Sequence, residues 1–184
     1  MKECRVMQNL SREEKIQQWL EEESTVRATL GGPGNTSLAE AALLEPIDYF
    51  KGIGRGDLPS PAICEMLDFI PLVFAEGHFI FQGTPDKRHY NSLGSVHGGY
   101  AATLLDSCMA CAIHTRLKKG QGYTMSDLRV SYVRALTDKV GPVRAEGKVV
   151  HIGRSTALAE ARLYDVDDRL YATASTTCII LSMG

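Results

Sequence analysis

The chain has 184 residues, of which 44% are hydrophobic and 23% charged, so its composition is that of a folded globular protein and excludes a disordered or collagen-like chain. A formal net charge of −2 argues against a nucleic-acid partner, whose many phosphates require neutralisation. The charge is uneven: residues 1–84 carry 7 basic and 13 acidic side chains, whereas residues 85–184 carry 13 and 9. The second half could therefore receive a small anionic ligand.

The N-terminal sequence indicates the compartment. Met1–Leu10 contains no apolar core of a secretory signal, and no apolar run reaches the roughly 18 residues that span a bilayer. Five scattered cysteines, an odd number, do not form a disulfide framework. These features predict a cytoplasmic protein with no membrane partner.

The first 60 residues predict helices and connectors. Ser11 and Glu14 have the spacing of a capping box, which predicts a helix over residues 11–28. Ile16, Trp19 and Leu20 form a stripe by which this helix would dock onto the body or a neighbouring chain. The remaining predictions for this part are a connector at 31–35, a helix at 43–51 and a second connector at 52–61.

From residue 63 onwards the pattern changes to strands around one apolar helix. A hairpin is predicted with a turn at Glu76-Gly77, followed by a helix over 96–117 that is apolar on nearly every side and must be buried. The predicted strands are 70–75, 78–84, 123–134, 143–152, 157–165 and 170–181. One helix cannot cover both faces of a parallel sheet, so this order predicts an α+β fold with a mostly antiparallel sheet wrapped around a central buried helix.

Asp106 is the most informative polar residue because it lies midway along this apolar helix. A buried carboxylate is costly to desolvate, so it should be paired, protonated or used in chemistry. A partly exposed position or a hydrogen bond to nearby backbone would be the structural alternatives. From residue type and burial alone, a functional role and a purely structural role for Asp106 are about equally favoured.

The start of the helix adds polar groups to the same region. The paired glycines Gly98 and Gly99 leave backbone N–H groups unshielded at a helix N-terminus, which suits a developing oxyanion or a polarised carbonyl. A tight turn that needs glycine is the plainer interpretation. Asn91 adds a side-chain amide just before the turn, where it could orient a water or simply form a loop.

Together these residues resemble a known signature. The segment from His89 to Asp106, HYNSLGSVHGGYAATLLD, resembles that of the hotdog-fold acyl-CoA thioesterases of the phenylacetate-pathway (PaaI-like) group. The resemblance extends through 123–134, 147–154 and 159–165 and covers residues 45–184. It implies a hotdog domain at residues 45–184, preceded by a helical extension and linker at residues 1–44.

The resemblance also implies roles in hydrolysis of acyl-CoA to free acid and coenzyme A. Asp106 would act as general base or nucleophile, Gly98 would donate its N–H to the thioester oxygen, and Asn91 would position the water or carbonyl. His97 and Gly99 would support the turn beside the substrate. The family assembles as dimers or dimers of dimers with shared sites.

Helix geometry supports the shared site independently. Gly98 and Asp106 are eight residues apart, which displaces them by about 12 Å along one helix. A base must reach the reacting group at about 3 Å or through one water. One chain therefore cannot supply both groups to one carbonyl, and we expect a homo-oligomer with Asp106 donated by the partner.

Further substrate contacts follow from family position. Arg134, His151, Arg154 and Ser155 would contact the coenzyme A phosphates, although solvated surface residues are nearly as plausible. Met125 stands where many relatives carry Ser or Thr and would line the acyl site. The predicted reaction needs no metal or redox cofactor, since coenzyme A belongs to the substrate.

Three other interpretations remain open. Cys108 and Cys111 form a C-x-x-C that His114 could extend to a metal set, but space-filling in a small-residue helix is favoured. The protein could be a non-catalytic acyl-CoA sensor, against which the retained Asp106 and Asn91 argue. It could also be another hotdog enzyme, a hydratase or dehydratase, although no local aspartate–histidine pair is evident.

Overall fold

A computed structural model describes residues 10–183 as an antiparallel sheet wrapped around one helix. Strand order in the sheet is β3 (Phe69–Ala75), β4 (His78–Gly83), β6 (Val143–Ile152), β7 (Thr156–Asp165), β8 (Leu170–Ser182) and β5 (Gln121–Tyr132), and every neighbouring pair is antiparallel. This confirms the predicted α+β hotdog fold. The part of Met1–Leu10 that precedes residue 10 lies outside the described residues. The elements are α1 (Arg12–Arg27), β1 (Pro33–Gly34), α2 (Leu38–Ala42), α3 (Pro46–Gly54), β2 (Ser60–Pro61), α4 (Ala62–Met66), β3 (Phe69–Ala75), β4 (His78–Gly83), a 3₁₀ turn (Lys87–His89), α5 (Gly98–His114), β5 (Gln121–Tyr132), β6 (Val143–Ile152), β7 (Thr156–Asp165) and β8 (Leu170–Ser182).

Helix α1 begins as predicted and docks on the outer face of the sheet. The Ser11 side chain accepts from the Glu14 N–H while Glu14 reaches back to the Ser11 N–H, which completes a capping box. Trp19 is 4% exposed and meets Tyr164 edge to face, and the Arg144 guanidinium lies 3.8 Å from the Trp19 ring centroid. Trp19 therefore anchors the helix to this chain's own sheet through both apolar burial and a cation–π contact.

Leu20 does not belong to the docking stripe. It is 39% exposed. Ile16 does face inward beside Trp19, where it packs near Gly141, and the third inward residue is the buried Glu23. The buried Gln82 of β4 donates hydrogen bonds to the Trp19 carbonyl at 2.9 Å and to Glu23 at 2.8 Å. Glu23 can therefore be buried against the sheet, because Gln82 supplies it with a hydrogen-bond partner.

The segment between α1 and the sheet differs from prediction. The predicted helix at 43–51 corresponds to α3, which begins at Pro46 because proline suits the first helical position, and a helix that was not predicted, α2, precedes it. The predicted connector at 52–61 begins inside α3, which ends at Gly54. The predicted connector at 31–35 contains β1, which pairs in parallel with β2.

Helix α5 forms the core, as predicted. It starts at the paired glycines and buries nine residues against the sheet. Gly147 of β6 permits the close approach: a Cβ there would lie 2.5 Å from the Cys108 carbonyl carbon and oxygen. The helix backbone therefore rests directly on the β6 backbone, and the space for a side chain is absent.

Strand β5 forms one edge of the sheet and carries an irregularity. Its register against β8 shifts between Met125 and Asp127, so Ser126 is the extra residue of a β-bulge. Beyond the bulge the strand leaves apolar side chains uncovered in the chain described, including Tyr132 at 56% exposure and the following Val133 at 60%. No helix within residues 10–183 has the length and apolar character needed to cross a membrane.

Candidate active site

The start of α5 leaves one backbone donor open. His97 caps the helix, since its Nδ1 accepts from the Gly99 N–H at 2.8 Å, and its own N–H donates to the His89 carbonyl at 2.7 Å. The Gly98 N–H has no hydrogen-bond acceptor among residues 10–183. The helix therefore presents a single free donor at its positive end, with His97 and Gly99 engaged in holding the turn.

Tyr132 of β5 packs closely against Gly98. Tyr132 Oη donates to the Gly98 carbonyl at 2.9 Å, and a Cβ at position 98 would lie 3.0 Å from the Tyr132 ring. Since a contact this short forces one side to move, glycine is the residue that fits here. The same tyrosine thereby ties the edge strand to the open donor.

Asn91 organises the loop before the helix. Its Oδ1 accepts from the N–H groups of Leu93 at 2.8 Å and Ser95 at 3.3 Å, and its Nδ2 donates to the Ser95 hydroxyl at 3.1 Å. Gly94 completes the turn with φ +82. In the single chain, then, the Asn91 carbonyl oxygen is committed to loop structure, and only its amide nitrogen retains a proton for a ligand.

Asp106 lies half-buried on α5. Burial raises the pKa of Asp106 above its ordinary value of 3.8, and no compensating partner contributes. Within residues 10–183 no cation or hydrogen-bond donor reaches this carboxylate. Asp106 is thus a desolvated carboxylate that the fold of one chain does not use.

Gly98 and Asp106 do not meet in one chain. Both lie on the uninterrupted helix α5, where eight residues correspond to a rise of about 12 Å. The free donor and the free carboxylate are consequently at different levels of the same helix.

The structure divides the proposed coenzyme-binding residues into two groups. Arg134 is exposed and lines a cavity of about 380 Å³ together with His97 and Gly98. His151 lies near the end of β6, and Arg154 and Ser155 lie in the turn between β6 and β7, at the other end of the sheet. Leu163, which lines the cavity at Gly98, is seven residues along β7 from Thr156 at that turn, a span of about 23 Å.

Met125 faces the helix side of the sheet, opposite Cys178 and against the core. The bulge brings Ser126 next to it, but the Ser126 hydroxyl is exposed and donates to the Thr177 carbonyl at 2.9 Å. Ser126 therefore does not replace the hydroxyl that many relatives carry at position 125.

The cysteines of the C-x-x-C are free thiols on α5. Burial strongly raises the pKa of Cys108 and Cys111, which disfavours the thiolate that metal ligation or thiol exchange requires. In the part of the chain that the structure describes, no three His, Cys, Asp or Glu side chains cluster as metal ligands.

One feature was missed from the sequence: a cavity of about 580 Å³ beside the C-terminal end of α5. Its walls include Tyr49, Phe50, Phe74, His114 and Tyr123, which come from four different elements. The Tyr49-Phe50 pair and the position of His114 at the end of an apolar helix were visible signals, but nothing in the spacing indicates that they converge.

Known proteins resemble this chain over the region that contains the candidate site. Residues 93–172 match the thioesterase superfamily, a range that contains Gly98, Asp106 and Arg134 and begins just after Asn91. A putative esterase of Caenorhabditis elegans is 32% identical over 123 residues, 66% of this chain and 69% of that protein. The proofreading thioesterase EntH of Cronobacter sakazakii is 25% identical over 127 residues, 67% of this chain and 91% of that protein.

Solved structures show the same relationship. A putative thioesterase from Ralstonia eutropha, described as a phenylacetic acid degradation-related protein, superposes with a TM-score of 0.65 at 26% identity and covers 71% of this chain and 98% of that one. The PaaI protein of Escherichia coli, at 18% identity and a TM-score of 0.63, shares the fold over 79% of this chain and 97% of its own. The chain therefore belongs to the thioesterase superfamily and is a hotdog-fold thioester hydrolase, with PaaI-type proteins among its structural neighbours.

Proposed function

We propose that the protein hydrolyses acyl-CoA thioesters to a carboxylic acid and coenzyme A, with Asp106 as the group that drives the attack. The observation that carries the proposal is the Asp106 carboxylate, which is half-buried without a cation or donor in the described chain. Such a group costs folding free energy, and a raised pKa brings it closer to that of a useful general base.

Two routes are compatible with this carboxylate. As a base, Asp106 takes a proton from water while the water oxygen bonds to the thioester carbon. As a nucleophile, it bonds to that carbon itself and forms an anhydride that water then cleaves. In both routes the carbonyl oxygen becomes an oxyanion, the C–S bond breaks and the coenzyme A sulfur leaves with its electron pair and is protonated.

The Gly98 N–H is the donor suited to that oxyanion. It is open in the described chain, and it lies at the positive end of α5. A fixed donor aimed at developing charge contributes more than a mobile water, because it needs no reorganisation during the reaction. Asn91, through its remaining amide proton, would orient the water or carbonyl beside it.

The site is completed by a second chain. The displacement of about 12 Å between Gly98 and Asp106 rules out one chain serving one carbonyl. Edge strand β5 has an unpaired side and exposed apolar residues near Tyr132, both features of an interface. Two-fold antiparallel pairing of β5 would bring the Tyr132 end, and with it Gly98, towards the partner's Met125 region and Asp106.

The same pairing would bring together the two separated groups of proposed coenzyme-binding residues. Arg134 lies with Gly98, whereas Arg154, His151 and Ser155 lie about 23 Å away at the other end of the sheet. Reversing one chain against the other brings the two groups to the same end, where they would contact coenzyme A phosphates. No metal or redox cofactor takes part in this proposal.

Thiol release from a panel of aliphatic and aromatic acyl-CoAs tests the proposal. The wild type should release thiol, and Asp106→Asn should lose at least about a hundredfold in kcat, the contribution of a positioned acid–base group. Glu160→Gln, an exposed carboxylate on the outer face of β7, is the matched control and should retain activity. Unchanged turnover in Asp106→Asn would overturn the mechanism, and tight binding without thiol release by the wild type would favour an acyl-CoA sensor.

A further inference from the structure

The cavity of about 580 Å³ at the C-terminal end of α5 is not accounted for by the chemistry above. Its volume falls in the range of about 300 to 1,000 Å³ typical of small-molecule sites. Four elements meet around it: α3 supplies Tyr49 and Phe50, β3 supplies Phe74, α5 supplies His114 and β5 supplies Tyr123.

The wall of the cavity is aromatic and rigid. Phe50 packs against Phe79 at 4.9 Å between ring centroids and against His114 at 5.3 Å, while Phe74 stacks on Phe79 at 5.8 Å. His114 also lies 5.6 Å from the Tyr123 ring. Interlocked rings leave a preformed apolar surface, which is the kind of surface that binds hydrocarbon groups.

The cavity carries no formal charge. No Asp, Glu, Lys or Arg lines it within residues 10–183, and burial lowers the pKa of His114 to about 4, so the imidazole is neutral at physiological pH. A ligand group with a carboxylate would lose its hydration here without finding a cation. The chemistry therefore selects uncharged occupants.

The cavity lies near Asp106. Tyr123 and Cys111 both line it, and the pKa of each is raised chiefly by burial and additionally by the charge of Asp106, which places the carboxylate within electrostatic range of the cavity wall. Along α5 the rise from Asp106 to Cys111 is about 7.5 Å and to His114 about 12 Å. An acyl group whose thioester carbonyl is held at Asp106 must therefore extend about 7.5 to 12 Å along the helix to occupy the cavity.

We infer, building on the proposed function, that this cavity holds the acyl group and that the segment from residue 36 to residue 61 determines acyl specificity. The acyl group is uncharged and apolar, of the size of a ring or larger. Thr36, Ala41, Tyr49 and Ile53 of this segment line the cavity and all precede residues 93–172, which match the thioesterase superfamily. The segment therefore supplies a wall of the cavity from outside the range that matches the superfamily.

Acyl-CoA selectivity in cavity variants tests the inference. The wild type should hydrolyse phenylacetyl-CoA and octanoyl-CoA with kcat/KM at least tenfold above acetyl-CoA and above the carboxylate-bearing glutaryl-CoA. Ala41→Leu, which extends a side chain into the cavity from α2, should lower kcat/KM for the two large substrates about tenfold and leave acetyl-CoA unchanged. Ala39→Leu, exposed on the same helix, is the matched control.

A second variant covers the case in which Ala41→Leu does not fold. Phe74→Leu removes part of a half-buried wall and should shift the preference towards longer acyl chains, with folding checked by circular dichroism. If either folded variant alters all substrates equally, or alters none, the inference is overturned.

Failure of the proposed function is distinguishable from failure of this inference. A wild type that releases no thiol from any acyl-CoA contradicts the hydrolysis, yet calorimetric titration with the non-hydrolysable thioethers phenethyl-CoA and ethyl-CoA still reports on the cavity. Tighter binding of phenethyl-CoA in the wild type, lost in Ala41→Leu, would support the cavity as an acyl site. Equal affinity for the two thioethers would overturn it.

Discussion

The Gly98 N–H and the Asp106 carboxylate, both without partners in the described chain, lie on one helix at levels about 12 Å apart. In the proposed mechanism the first is the donor for the oxyanion and the second drives the attack on the thioester carbon, but they cannot act on one carbonyl from one chain. This separation leads to the first expected result.

Hybrid dimers should recover activity from two inactive chains. Gly98→Ala and Asp106→Ala chains, mixed in equal amounts after dissociation, would form heterodimers as about half of all dimers, and each heterodimer would contain one intact site. Thiol release should therefore return to about one quarter of the wild-type value. Absence of recovery despite exchange proven by mass spectrometry would contradict a site shared between chains.

Asp106→Asn should unfold at a higher temperature than the wild type at pH 7. Burial raises the pKa of Asp106, so the folded protein holds this proton more tightly than the unfolded chain and ionisation at neutral pH costs folding free energy. The advantage of the variant should shrink as pH falls through the raised pKa and vanish below the ordinary value of 3.8.

Differential scanning calorimetry between pH 3 and pH 7 measures this difference, with Glu160→Gln as the control that should not change. A variant less stable than the wild type at pH 7 would mean that a cation stabilises Asp106 in the assembled protein. In that case Asp106 would have a structural partner, and its burial would no longer indicate a catalytic role.

Gly98→Ala should lower kcat more than it changes KM. The added methyl group meets the Tyr132 ring at 3.0 Å, and we expect part of the strain to be relieved by a shift of the helix start that carries the open N–H. Displacing one oxyanion donor reduces kcat by about a hundredfold or more. Ser92→Ala, exposed in the loop before the helix, should leave both constants unchanged, and a Gly98→Ala enzyme with wild-type kcat would rule out this donor.

Trp19→Ala should destabilise the protein by about 3 kcal/mol or more, which is the usual cost of truncating a buried tryptophan. The ring is 4% exposed and carries both the Tyr164 contact and the Arg144 guanidinium. Leu20→Ala on the same helix, at a residue 39% exposed, should cost less than about 1 kcal/mol. Urea unfolding compares the two; equal losses would show that helix α1 is not anchored through Trp19.

Much of the fold could be predicted because apolar residues recur along its strands and helices with the period of each kind of element. In β7, buried and exposed residues alternate strictly from Thr156 to Leu163, a pattern that identifies a half-buried strand. Helix α2 was missed although Ser37 and Glu40 form the same capping box as Ser11 and Glu14, so a readable signal was present. The helix is five residues long, too short to show a period of its own.

The candidate site was predictable in part. Asp106 and Gly98 were accessible from sequence because a carboxylate within an apolar helix and paired glycines at its start are local patterns. The cavity was not, since Phe50, Phe74, His114 and Tyr123 are far apart in the chain and only tertiary packing brings their rings together. The commitment of Asn91 to its own loop likewise depends on the backbone conformation at Ser95.

Gly147 shows how far the constraints on catalysis extend from the reacting groups. Its missing side chain lets α5 rest on β6, and Asp106 lies two residues before the Cys108 backbone that would meet an added Cβ at 2.5 Å. Any larger residue would lift the helix and carry the carboxylate away from the edge strand. A buried position outside the candidate site therefore sets the depth of the Asp106 carboxylate, and a substitution there should alter enzyme kinetics although the residues of the site itself are unchanged.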